Sequence, residues 1–323
     1  MARIKLRAFR EVKNYTRTVS DCYMEYMNYC KYRGQREGTI KSKEGFYKYV
    51  LPKMISVDED ITKITESMVL IHVNSMIDRG LKGGTYSTFV VKLKAFLTYC
   101  FKRKYLQEFE VKIPNVVLEK KAVYTEDEIN ILLTKPNLNT CVIGDYRSYV
   151  MIAFFVGTGC RSETILNVRV KDINFEKDSI LFSHMKTKRQ ATVPMSKFLR
   201  GELLEYINNM NLKHNDLLFP KIDGTQMSYD TMHQNFKNYF KHCNIKMHGV
   251  NTFRNTFATM FIKNGGDIYR LKLLLNHSTI KTTERYINLL PLDFKEDLLK
   301  YNPLDNLQNN IIKGTKLKFK NRK

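Results

Sequence analysis

Between residues 86 and 105 the apolar positions Tyr86, Phe89, Val90, Leu93, Phe96, Leu97 and Phe101 recur at steps of three and four, with Lys92, Lys94, Lys102 and Arg103 between them. That period lets an α-helix bury one face, so it predicts a helix whose apolar stripe is packing and carries no chemistry. Weaker patterns of the same kind predict helices over 18–32, 39–54 and 64–79, broken at RGQREG and GLKGGT. From 107 to 121 (QEFEVKIPNVVLEKK) the period lapses around Pro114, which reads as an extended linker. A helix reopens at TEDEINILL, where Thr125 and Glu128 have the spacing of a capping box. Residues 145–156 predict a buried helix that ends at GTGC. Then the pattern changes. VKDINF, SILFSH and ATVPM are short β-branched runs separated by EKDS and MKTKRQ, and they predict a small antiparallel sheet. Helices return at 228–242 and continue to about residue 301. There is no internal repeat. The fold class is therefore mainly α with a small antiparallel β-sheet. It divides into a helical domain over 10–110, a linker over 111–121, a mixed α+β domain over 122–300 and a basic, mobile tail over 301–323.

Composition narrows the class. With 323 residues and 43% hydrophobic positions, the chain is long enough for two cores. No apolar run is long enough for a bilayer span, and MARIKLRAFREVKNYTR lacks the apolar segment of a secretory signal. Six cysteines without a CxxC pair read as reduced thiols of a cytoplasmic protein. His184, His242, Cys243 and His248 match no zinc spacing, so neither a metal nor a cofactor is expected. Charge says the most about a partner. Fifty-four Lys and Arg against 32 acids give a net +22 and a pI near 9.6. Such an excess over a folded chain points to a polyanion, and its spread along the chain favours nucleic acid over a membrane surface.

Five residues stand out by their order. GTGCRSETILNVRVKDI places Arg161 after a helix-breaking turn, and Lys186 follows 25 residues later in MKTKR, eight before Pro194. NTFRNTFATMF carries Arg254, and LNHSTIKTTERY carries His277 and, nine residues on, Tyr286. Singly each has a bland reading: a half-buried core aromatic for Tyr286, surface charges for Arg161 and Lys186, a helix-ending turn residue for His277. Jointly, over about 18–290, they resemble the tyrosine recombinase (phage integrase) family, Xer-like or transposon-type.

The resemblance implies a site-specific DNA recombinase, with the first domain a core-type DNA-binding domain and the second catalytic, the two clamping duplex DNA between them. It implies a homotetramer on paired sites, exchange through a Holliday junction, and accessory DNA-bending proteins as possible partners. The outcome would be integration, excision or resolution. The helical domain starts near residue 18, which leaves no room ahead of it for a separate arm-binding domain. After Pro291, the residues Leu292, Phe294, Leu298 and Leu299 predict a short helix that the resemblance would dock on a neighbouring protomer.

The chemistry asks for the same residue types. Cutting a phosphodiester without a metal needs a nucleophile, donors for the non-bridging oxygens and an acid for the leaving 5′-oxygen. Tyr286 suits the first role, the guanidinium forks of Arg161 and Arg254 the second, and Lys186 the third, with His277 donating to the phosphate beside Arg254. Two positions depart from the family pattern. Asn251 stands where a histidine usually precedes the second arginine, and Thr164 where an acid usually follows the first, with Glu163 one place early. Asparagine still donates a hydrogen bond but does not shuttle protons. Two rival readings are a type IB topoisomerase-like relaxing enzyme and a catalytically weakened DNA-binding regulator. Retention of Arg161, Lys186, Arg254, His277 and Tyr286 argues against the second.

Overall fold

The computed structural model describes residues 17–116, 121–183 and 190–286, and the chain divides into two compact units, Met1–Glu119 and Lys120–Lys323. Lys186 and the segment after Pro291 lie outside the described residues.

Among the described residues the first unit has four α-helices, α1 (Val19–Tyr32), α2 (Glu37–Tyr49), α3 (Glu66–Asp78) and α4 (Gly83–Lys102). Helix α1 starts at a capping box, in which Thr18 Oγ1 accepts from the Asp21 amide at 3.0 Å and the Asp21 carboxylate accepts from the Thr18 amide at 3.1 Å. The stripe on α4 is buried as the period requires: Phe89, Val90, Leu93, Phe96 and Leu97 lie in the core. Phe96 meets Tyr23 of α1 at 4.8 Å between ring centroids. Two boundaries differ from the sequence reading. Helix α2 stops at Tyr49, short of residue 54, because Pro52 cannot continue it and stands instead in a single 3-10 turn, Leu51–Lys53. Helix α4 opens earlier, on the glycines read as a breaker. A Cβ on Gly83 would come within 2.0 Å of Val116, so glycine there permits a close approach of the chain. Part of the stretch read as linker also packs: Val111 is buried, and its carbonyl accepts from Lys94 Nζ at 2.8 Å.

In the second unit α5 (Glu126–Leu132) carries both halves of the Thr125–Glu128 capping box. Helix α6 (Ile143–Thr158) is the centre of the core, with an unbroken buried run from Tyr146 to Phe155. Such an all-round apolar helix has no solvent face to spare, and its neighbours enclose it. A short α7 (Ser162–Ile165) follows, then β1 (Ile173–Asn174), β2 (Ser179–Phe182) and β3 (Ala191–Pro194). The sheet is antiparallel in the order β1-β2-β3, with the buried Ile180 opposite Ile173 on one side and Val193 on the other. The run VKDINF is a 3-10 turn, Val170–Asp172, that feeds a two-residue strand, not a full strand. Helix α8 (Lys197–Asn209) is absent from the sequence reading, although Leu199, Leu203, Tyr206 and Ile207 have helical spacing behind a Ser196 cap. The unit closes with α9 (Tyr229–His242), α10 (Asn251–Lys263), α11 (Ile268–Leu274) and α12 (Lys281–Glu284). Phe253 of α10 stacks on Phe155 of α6 at 5.8 Å and 7°, which fixes the two helices face to face. All six cysteines are free, and among the described residues no helix is long and apolar enough to cross a membrane.

Helix α6 ends at Gly159, in the left-handed region at φ 60°. A Cβ there would come within 2.3 Å of Phe257 on α10 and 2.8 Å of Leu275 beyond α11. Gly159→Ala therefore meets both backbone strain and a packing clash, and the second unit should lose roughly 2–4 kcal/mol in urea denaturation. An unchanged midpoint for that variant would show that α10 and the end of α11 do not pack tightly on residue 159.

Candidate active site

Immediately past Gly159 the chain turns through Cys160 into Arg161, the extended residue that precedes α7. The side chain of Arg161 is half-buried, and its Nη1 has no hydrogen-bond partner among the described residues although it is shielded from solvent. Burial pushes its pKa down, with the Tyr286 phenol opposing and Arg285 adding to the fall. A desolvated guanidinium with a donor to spare is costly unless an anion is its intended partner.

Arg254 is more deeply placed, on the first turn of α10 and 7% exposed. Its Nη1 donates to the Gly159 carbonyl at 2.7 Å, and its Nη2 reaches the Leu275 carbonyl at 2.7 Å and His277 Nε2 at 2.9 Å. Burial first, and the Arg161 charge second, bring its pKa down to about 10, so it remains a cation at neutral pH.

The turn before Tyr286 is built by Asn276. Helix α11 ends in a Schellman arrangement: Asn276 takes φ 47°, its amide donates to Leu273 O at 2.9 Å, and the His277 amide donates to Lys272 O at 3.0 Å. Asparagine tolerates this conformation better than other side-chain-bearing residues. The helix break thus delivers His277 with its ring pointing at Arg254. Because arginine has no acceptor, His277 Nε2 is the acceptor in that contact, and Nδ1 carries the proton and donates to Thr283 Oγ1 at 2.8 Å. Burial, followed by the charges of Arg254, Arg161 and Arg285, pushes the His277 pKa down to about 3. In this arrangement the neutral imidazole supports Arg254, and its N–H is spent on Thr283.

Helix α12 then places Tyr286. The ring is fully buried against Ala258, Leu271 and Leu275, and it lies parallel to His277 at 6.1 Å and 12°. The phenol oxygen accepts from Arg285 Nη2 at 3.3 Å.

Arg161, Arg254 and Tyr286 line one cleft of about 560 Å³, together with Asn251, Arg285 and Lys121. Asn251 is the exposed first residue of α10, and the out-of-register His248 lines the cleft too, with its backbone amide bonded to Tyr124 Oη at 3.1 Å. No described residue lining the cleft is acidic. A site of several cations and a buried phenol is suited to a phosphate ester. Lys121 was read as linker, yet it lies here with its pKa lowered by burial and then by Arg285. Arg285 and Thr283 were also missed; their only sequence signal was closeness to Tyr286.

Residues 122–292 match the phage integrase family. The chain belongs to that family. The resemblance drawn from the five residues is thereby confirmed, and as a tyrosine recombinase the chain groups with Xer-like and transposon-type members. It is similar to tyrosine recombinase XerA of Saccharolobus solfataricus, 27% identical over 286 residues, which cover 87% of this chain and 92% of that protein. It is similar also to tyrosine recombinase XerD of Staphylococcus haemolyticus, 24% identical, covering 88% of this chain and 99% of the relative. Among solved structures, a Tn1549 transposon integrase in complex with transposon right end DNA matches with a TM-score of 0.73 at 18% identity, over 89% of this chain and 99% of that one. A lambda integrase tetramer bound to a Holliday junction gives 0.69 at 14% identity, over 84% and 78%. These structural matches show the recombinase fold.

The buried His277 makes a pH prediction. Its folded pKa lies below the unfolded value near 6.5, so the unfolded chain binds the extra proton first as pH falls. The stabilising contribution is full above about pH 6.5 and is lost towards lower pH, at up to ~1.4 kcal/mol per pH unit. Urea midpoints of the recombinase measured from pH 7.5 to 5 should fall, and less steeply in His277→Asn. Equal slopes in the two proteins would contradict the buried neutral imidazole.

Proposed function

We propose that this recombinase cuts and rejoins duplex DNA at a specific site through a covalent 3′-phosphotyrosyl link to Tyr286. The Tyr286 oxygen loses its proton to solvent and attacks phosphorus, the bond to the 5′-oxygen breaks, and that oxygen takes a proton from Lys186, which later recovers one from solvent. The phosphotyrosyl bond conserves the energy of the broken ester, so a 5′-hydroxyl from another strand reverses the step. Arg161 and Arg254 hold the non-bridging oxygens, Asn251 adds a neutral donor, and His277 fixes Arg254 from behind. The observation that carries the reading is the buried donor of Arg161, without a partner among the described residues, in the same cleft as Tyr286, where no described lining residue is acidic. The net charge of +22 supplies the long-range attraction to DNA.

Double-stranded DNA is the substrate in this reading, and four protomers on paired sites exchange strands, with DNA-bending proteins as accessory partners. The solved integrases bound to DNA and to a Holliday junction support both points. The first unit serves as the DNA-binding domain, and the cytoplasm, where unenclosed DNA is found, is the compartment. A relaxing topoisomerase or a silent regulator is less favoured, since Xer-type relatives align over most of their length.

The test uses a nicked suicide duplex built on the sequence that the chain selects from a randomised library. Wild-type protein should give an SDS-stable adduct mapping to Tyr286, in EDTA as well as in magnesium. Tyr286→Phe should bind the duplex within about twofold of wild type and form no adduct. An adduct at another residue, or one abolished by EDTA while binding persists, would overturn the reading.

A further inference from the structure

We propose that Arg285 is a further catalytic residue, whose guanidinium holds the Tyr286 oxygen and stabilises the negative charge gathering there as the proton leaves. The inference rests on the cleft being the recombinase active site, and it concerns the nucleophile's side of the reaction, which the cradle of Arg161 and Arg254 leaves unassigned.

Geometry places Arg285 at the reacting atom. Its Nη2 donates to the Tyr286 oxygen at 3.3 Å, and its Cζ stands 5.1 Å from the centre of the same ring. The turn that ends α12 arranges this. Arg285 continues the helical conformation at φ −58° and ψ −20°, and the Tyr286 amide closes back on Thr283 O at 2.9 Å. One residue is thus directed into the core and its neighbour to the surface. Tyr286 is fully buried, whereas Arg285 is exposed and lines the cleft.

The chemistry follows from what a buried phenol lacks. Removing water from around its oxygen penalises the phenolate, and a fixed cationic donor offsets that penalty. The other charged groups around the oxygen are differently engaged. Arg254 commits three of its five N–H donors to Gly159 O, Leu275 O and His277, while His277 is neutral and tied to Thr283. Arg161 and Lys121 line the cleft with Arg285, and Arg161 carries the spare donor that suits a phosphate oxygen. Among the described residues the hydrogen bond to the Tyr286 oxygen comes from Arg285, and Arg254 interacts with the same phenol from the side of the phosphate cradle.

The measurement is single-turnover cleavage of the selected nicked duplex, with affinity read on the same DNA. Arg285→Ala should cut roughly 10- to 100-fold more slowly, below the usual cost of a lost oxyanion donor because the bond is long, with affinity within about twofold. Arg285→Lys should recover part of the rate as a point charge without the fork. Placing 3,5-difluorotyrosine, a more acidic phenol, at position 286 should recover most of the loss in Arg285→Ala and change the wild-type rate little. A rate unchanged by Arg285→Ala, a loss of affinity as large as the loss of rate, or no selective recovery by the fluorinated phenol would each overturn the assignment. If wild type itself forms no Tyr286 adduct, the recombinase site falls and Arg285 falls with it.

Discussion

A single buried guanidinium holds the candidate active site together. Arg254 bonds to the carbonyl that ends α6, to the carbonyl that ends α11 and to the His277 ring, and so ties three separately folded segments to one point. Burying a cation costs several kcal/mol, and hydrogen bonds to a charged group return about 1.5–3 kcal/mol each. Three such bonds therefore offset much of the cost. The fall of its pKa to about 10 marks the part that remains, without removing the charge. That residue of unfavourable energy is what a bound phosphate would relieve.

The backbone around it follows from that anchor. Both carbonyls that Arg254 needs come from helix ends, where the last turn leaves carbonyls without intrahelical partners. Each end is turned off by a left-handed residue, Gly159 in one case and Asn276 in the other. Gly159 has no alternative because Phe257 and Leu275 close over its Cα, whereas Asn276 closes the turn that aims His277 inward. Site geometry and helix termination are the same structural event here. The orientation is set before any DNA arrives, as electrostatic catalysis requires.

Some of these features are legible in the chain and others are not. The α4 stripe, the Thr125–Glu128 box and the core helix α6 are local patterns, visible in a window of a turn or two. Arg161, Arg254, His277 and Tyr286 were legible through their spacing, and they do converge. The partners of Arg254 were not, because main-chain carbonyls of Gly159 and Leu275 leave no mark in a sequence. The donor role expected of His277 meets the same limit, since only the fold shows its two nitrogens engaged by Arg254 and Thr283. Lys121 falls where the hydrophobic period lapses around Pro114, which reads as linker, although the fold turns it into the cleft. Helix α8 has both a cap at Ser196 and a helical period, local signals that the sequence reading does not use.

In the proposed reaction Arg161 and Arg254 cradle a phosphate which Tyr286 attacks. A structure of the chain with nicked DNA and orthovanadate tests it most directly, because vanadate takes the five-coordinate geometry of the transferring phosphate. The account predicts vanadium bonded to the Tyr286 oxygen, with equatorial oxygens within hydrogen-bond reach of the Arg161 and Arg254 guanidinium groups. Vanadate bonded to another side chain, or seated on Tyr286 with both arginines turned away, would contradict it.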